Sequence, residues 1–171
     1  MTLDFNRFDF PSIFGVMKST ASMTSLQLRP IRALIQEMAI AKYSGGQLRY
    51  IGGIGHDFMC VHDGLLYESK GVNGLFLKTK NYTKEIVLKN FQTENQGLPH
   101  KTFDYMLLWD TSSYTLGVCD WEACMKNARN RSAQVTFRAD YSDIDFIIEN
   151  GKVQDKGDFG VRLNKLIYES I

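Results

Sequence analysis

Apolar and polar positions along the chain sort it into short alternating runs separated by polar turns, with two helical stretches. Pro30 opens a predicted helix that runs to about Tyr43. Ile31, Leu34, Ile35 and Met38 recur on one side of it, and Ser44-Gly45-Gly46 ends it. Residues 1–22 are rich in Phe, Ser and Thr and carry no clear period. Leu48 to Ile51 reads as a short strand ahead of a loop built on Gly52, Gly53 and Gly55. Phe58 to Val61 and Leu65 to Tyr67 are apolar enough for two strands joined at Asp63-Gly64. That dipeptide tolerates the positive φ angles of a tight hairpin turn. Further on, Glu85 to Phe91 suits a strand or short helix, and 93–101 suits a loop. Phe103 to Trp109 and Tyr114 to Cys119 form a strand pair. Asp120 can cap a helix from Trp121 to about Ala128. Val135 to Ala139 and Ile144 to Ile148 are strand candidates, Asn150-Gly151 is a turn, and a closing helix starts near Asp158. This order predicts one α/β domain over residues 1–171, a mixed central sheet flanked by helices.

The hairpin carries the candidate chemistry. A two-residue turn at 63–64 sets His62 against Leu65, Met59 against Glu68 and Asp57 against Lys70. Asp57, Glu68 and Lys70 then share one face of an otherwise apolar ribbon. Two acids and a lysine gathered there are costly unless they hold a cation or do chemistry. Phosphodiester hydrolysis needs such a set. Hard oxygen ligands suit Mg²⁺, which keeps several waters and takes one or two carboxylates. Asp57 and Glu68 supply these, and the Ser69 carbonyl is a third oxygen. Lys70 can orient a nucleophilic water or stabilise the charged phosphorus centre. Glu37, on the flank of the first helix, is a possible accessory ligand. Asp63 also precedes an acid-x-Lys, but a glycine-paired turn residue explains it better.

The Asp57…Glu68-Ser69-Lys70 pattern resembles the PD-(D/E)xK nuclease superfamily, and Y67-E-S-K70-G resembles small type II restriction endonucleases. Residues 103–121 look like the later core strands and following helix of such enzymes, so the resemblance spans roughly 48–125. His56 stands where the family name has proline. The resemblance implies a restriction-endonuclease-like fold, Mg²⁺-dependent cleavage of double-stranded DNA, and a 5′-phosphate and 3′-hydroxyl product. A palindromic site implies a two-fold homodimer, with residues 1–30 or 159–171 as candidate dimer surfaces. A repair or recombination nuclease on the same core, and a non-catalytic DNA-binding module, are the alternatives.

Composition narrows the setting. Hydrophobic residues make up 44% and charged residues 23%, as in ordinary globular proteins. A net charge of +1 argues against a protein that coats DNA through bulk charge, but leaves room for a local basic cleft. Candidate DNA contacts are Lys126, Asn127, Arg129, Asn130, Arg131, Gln134 and Arg138, whose types suit base edges and phosphates. Lys80 and Lys84 form a second candidate stretch beside the hairpin, and 93–100 a third. Cys60, Cys119 and Cys124 lack metal-site spacing. Cys60 and Cys119 lie in apolar runs and read as buried thiols of a reducing cytoplasm. His56 and His62 can share a strand face, but nothing completes a zinc set. No nucleophile elbow, phosphate-binding glycine loop, dinucleotide fingerprint, signal segment or membrane-spanning run is present in the sequence.

Overall fold

The chain begins by burying its aromatic residues. A 3₁₀ turn, Phe5–Arg7, is capped by Asp4, and helix α1, Phe10–Ser19, is capped by Asp9. The Asp9 carboxylate accepts from the Ser12 amide (3.2 Å) and from the Ser12 hydroxyl (2.6 Å). Pro11 sits in the first turn, where no amide hydrogen is needed. Phe10, Ile13, Phe14 and Met17 are buried at the i, i+3, i+4, i+7 positions of one helix face. Residues 1–22 had no predicted structure; this stripe is the period that defines it.

The computed structural model describes residues 1–53, 55–72, 84–89, 101–125, 129–131, 134–139, 146–149 and 152–154. Helix α2 is Leu28–Tyr43, and strands β1, Leu48–Gly53, β2, His56–Cys60, and β3, Leu66–Val72, follow. Then come β4, Lys84–Lys89, β5, Tyr105–Asp110, β6, Thr115–Asp120, and a one-turn helix α3, Trp121–Met125. The remaining strands are β7, Arg129–Arg131, β8, Gln134–Ala139, β9, Phe146–Glu149, and β10, Lys152–Gln154.

Among the described residues the strands form two sheets. The larger is ordered β1-β2-β3-β5-β6-β9-β10 and the smaller β4-β8-β7. In the larger sheet β3 and β5 run parallel, with Glu68 level with Met106 and Lys70 with Leu108. Its other neighbours are antiparallel. The protein is thus a mixed α/β fold with flanking helices.

Alternation along the strands divides the larger sheet into two faces. Phe58, Cys60, Tyr67, Leu107, Trp109, Leu116, Val118 and Ile148 join one core with α1 and with Ile40 of α2. The rings of Phe10 and Phe14 lie 6.0 and 5.5 Å from Trp109. Met106, Leu108 and Cys119 are buried on the opposite face. There Cys124 of α3 brings its Sγ to 3.2 Å from that of Cys119. Asp120 caps α3 as expected, accepting from the Ala123 amide at 2.7 Å. All three cysteines are buried and unbridged.

One expectation needs correction here. Helix α2 forms, but Ile31, Leu34, Ile35 and Met38 are exposed; the helix packs inward through Ala39 and Ile40 instead. Residues 129–131, to which the sequence assigned no element, are extended and pair with β8. Residues 158–171, expected to form a closing helix, lie outside the described residues.

Candidate active site

The loop between β2 and β3 sets the positions of the acids. The ladder pairs Phe58 with Tyr67 and Met59 with Leu66, and the Cys60 amide donates to the Leu65 carbonyl at 2.9 Å. The expected register is therefore displaced by two residues, and the connection is a four-residue loop, 61–64. Asp57 does not face Lys70; continuing the observed register by one residue sets it across from Glu68. The cause is the anchoring of the loop. Gly64, at φ +72°, donates its amide to the Cys60 carbonyl, and Val61 donates to Gln47. Asp63 accepts from the Leu65 amide and from the amide and hydroxyl of Thr2, at 2.7 to 3.0 Å. Burial pushes the Asp63 carboxyl up, but these hydrogen bonds and one from Cys60 outweigh it and bring it down to about 2. Asp63 is a structural turn residue that ties down the N-terminus.

A displacement of two residues preserves the face of every side chain. Asp57, Glu68 and Lys70 therefore alternate with the core residues Phe58 and Tyr67, as the sequence indicates. The Lys70 Nζ lies 2.6 Å from Glu68 Oε1, with the glutamate nearly buried. Past Phe58 the strand ladder gives way. The Ser69 amide, on the β2 side of β3, donates to Asp57 Oδ2 at 2.8 Å. Within an extended strand a residue's carbonyl projects to the same side as its amide. The Ser69 carbonyl thus shares the edge of β3 on which Asp57 sits.

Helix α2 and strand β1 complete the surroundings. Glu37, half-buried on α2, lies close enough to the Tyr50 hydroxyl for each to shift the other's titration. Tyr50 precedes an irregularity in β1 where the register shifts before Gly53. The backbone there needs glycine: Gly52 has φ +56°, and a Cβ on it would lie 2.8 Å from the Tyr50 hydroxyl. A Cβ on Gly53 would run into the His56 imidazole. This bend lets β2 begin at His56, one residue before Asp57.

The electrostatics show three carboxylates within range of one another. Burial, then the charges of Glu68 and Glu37, push Asp57 up to about 7, against the Ser69 amide and Lys70, which pull it down. Burial and the Glu68 charge also raise Glu37, opposed by Lys70 and Tyr50. Burial and the neighbouring Glu37 and Asp57 charges raise Tyr50 in turn. The cluster carries more negative charge than Lys70 alone compensates. Even so, no three Asp, Glu, His or Cys side chains among the described residues are grouped closely enough to hold a metal ion as they stand. Coulombic coupling reaches further than coordination does, so both observations hold together. Tyr50 is the neighbour that motif reasoning misses; its only signal is its position just ahead of the glycine bend.

The remaining candidates fall elsewhere. His56 Nδ1 lies 3.0 Å from the Thr102 carbonyl and His62 is exposed in the loop, so neither joins the acids. Lys80, Lys126 and Asn127 lie outside the described residues. Arg129, Asn130 and Arg131 on β7, Gln134 and Arg138 on β8, and Lys84 on β4 belong to the smaller sheet. Its register sets Arg131 level with Gln134, Glu85 with Arg138, and Lys84 with Ala139. Two basic stretches far apart in sequence are thereby strands of one sheet.

Set against protein-family models, characterised proteins and solved structures, the chain gives no significant match. No described helix is long and apolar enough to cross a membrane.

Proposed function

We propose that this protein is a Mg²⁺-dependent endonuclease acting on double-stranded DNA, of the type II restriction kind, on a restriction-endonuclease-like core. The observation that carries the reading is the meeting of Asp57, Glu68 and Lys70, with Glu37 beside them, where β2 parts from β3. A half-buried Asp57, raised first by its burial and then by two other carboxylates, marks a place short of positive charge. The donor set suits Mg²⁺, which accepts two carboxylates and keeps water for the rest of its shell. A bound Mg²⁺ would supply a lowered water pKa and a polarised phosphate.

The chain's own residues do the rest. Asp57, Glu68 and the Ser69 carbonyl would hold the cation. The Ser69 amide fixes the Asp57 carboxylate in place. Lys70, paired with Glu68 at 2.6 Å, is the cation that would orient water or meet charge on the phosphate. Glu37, beside Tyr50, would add a further acid at the edge. Arg129, Asn130, Arg131, Gln134, Arg138 and Lys84 are candidate DNA contacts on the smaller sheet. A palindromic site cut on both strands calls for two copies. The closed Glu68–Lys70 pair favours one rival, a DNA-binding module without turnover.

The test is incubation with a plasmid of mixed sequence, with and without Mg²⁺, followed by sequencing of the ends. Fragments that begin at one recurring sequence, formed only with Mg²⁺, support the proposal. Intact plasmid at every concentration of folded protein contradicts it. Nicks that follow DNA structure rather than sequence would move the assignment to repair or recombination.

A further inference from the structure

We propose that Cys119 and Cys124 form a redox site, a buried dithiol that a peroxide converts into a reversible disulfide between β6 and α3. Both are thiols, 0% and 1% exposed. Their sulfurs lie 3.2 Å apart and need to close by about 1 Å to form an S–S bond of about 2.05 Å. The turn between them is fixed by other groups. Asp120 accepts from the Ala123 amide at 2.7 Å. The Trp121 amide donates to the Asp104 carbonyl at 3.0 Å, and the Trp121 ring stands edge-on to Phe103 at 4.8 Å. These contacts present Cys124 to Cys119 at high effective concentration before any bond forms.

Cys60 is no competitor for either sulfur, because it packs in the core on the α1 side of the sheet. A metal set is incomplete, since no three His, Cys, Asp or Glu side chains among the described residues are grouped to hold an ion. Peroxide chemistry needs the two thiols alone. Helix α3 is one turn long, Trp121–Met125, and such an element opens locally far more readily than the strand beneath it. Once exposed, the Cys124 thiolate attacks one oxygen of hydrogen peroxide. The S–O bond forms, the O–O bond breaks, and the departing hydroxide takes up the proton that the thiol released. Cys119 then attacks the resulting sulfenic sulfur. The S–S bond forms, the S–O bond breaks, and the hydroxyl leaves as water with the Cys119 proton. Two thiols and one hydrogen peroxide give one disulfide and two waters. The strand register sets Cys119 level with Met106 and Met106 level with Glu68, so the bond forms on the acidic face of the sheet. The chemistry needs nothing from those acids.

The experiment exposes the full folded chain to hydrogen peroxide, quenches it, and labels the remaining thiols in denaturant. The expected product is lighter by about 2 Da and carries one label, on Cys60, in place of three. Cleavage after Glu122, which lies between the two cysteines, should leave the fragments joined until dithiothreitol separates them and restores three labels. Three labels at unchanged mass overturn the proposal. So does a bond to Cys60 or to a second chain, and so does oxygen added to the thiols with no bond formed. Cys124→Ser is the second arm. It should lose no pair of hydrogens, and a loss of about 2 Da there would pair Cys119 with Cys60 and overturn the assignment. The wild-type measurement needs no variant and decides the matter alone if the variant does not fold.

Discussion

Asp57 carries an unusual cost for a carboxylate, and its sign can be followed. Its pKa rises from 3.8 to about 7 on folding, so between these values the native protein holds a proton that the unfolded chain has lost. Stability therefore falls as pH rises through that window, and the loss is complete above about pH 7. At about 1.4 kcal/mol per unit the whole shift amounts to about 4 kcal/mol, and with solvent screening of the half-exposed carboxylate the loss should be about 2 kcal/mol. Asp57→Asn should consequently match the wild type near pH 4 and exceed it by a similar amount near pH 8. Urea unfolding at the two pH values checks this, and a variant less stable than wild type at the higher pH contradicts it. Cation binding must displace the same proton, so Mg²⁺ affinity measured by calorimetry should strengthen between about pH 6 and 8. Lys70→Ala presents the opposite case. It leaves Glu68 buried without its partner, and should cost about 1–3 kcal/mol in thermal or chemical unfolding.

The elements that bring these residues together can be tested through their packing. Phe14 of α1 lies edge-on to the fully buried Trp109 near the end of β5, so Phe14→Ala should cost about 3–5 kcal/mol by chemical denaturation. Asp9→Ala removes the cap of the same helix, and about 1 kcal/mol is expected from the same measurement. The existence of α2, β5, β6 and the β2–β3 hairpin was legible in the sequence, because each carries its own period or turn signal. The hairpin register was legible only in parity. Asp63-Gly64 marks the reversal, but the loop length depends on Thr2 binding Asp63 and on Gln47 binding Val61, contacts remote in sequence. Helix α1 was signalled by Asp9 and by the apolar spacing of Phe10, Ile13, Phe14 and Met17, hidden among flanking phenylalanines. In the smaller sheet β8 was legible and β4 was left between strand and helix, but Arg129–Arg131 is too short and polar to announce itself, and it is extended through pairing with β8.

At the scale of the whole molecule, two layers of helix and sheet place the acids at the point where one hairpin opens. The core on the α1 side holds β2 and β3 through Phe58, Cys60 and Tyr67. The intervening residues Asp57, Glu68 and Lys70 are thereby held in place by packing they do not share. The same-face grouping of these three was legible because it depends only on alternation. Glu37 was legible only as a possible accessory acid and Tyr50 not at all, since both arrive from α2 and β1 through tertiary packing. The most direct test of the account compares wild type, Asp57→Ala and Lys70→Ala for plasmid cleavage in Mg²⁺, with DNA binding followed in parallel. The account predicts that both variants remain folded, still bind DNA and lose cleavage. Cleavage at the wild-type rate by both variants would contradict it.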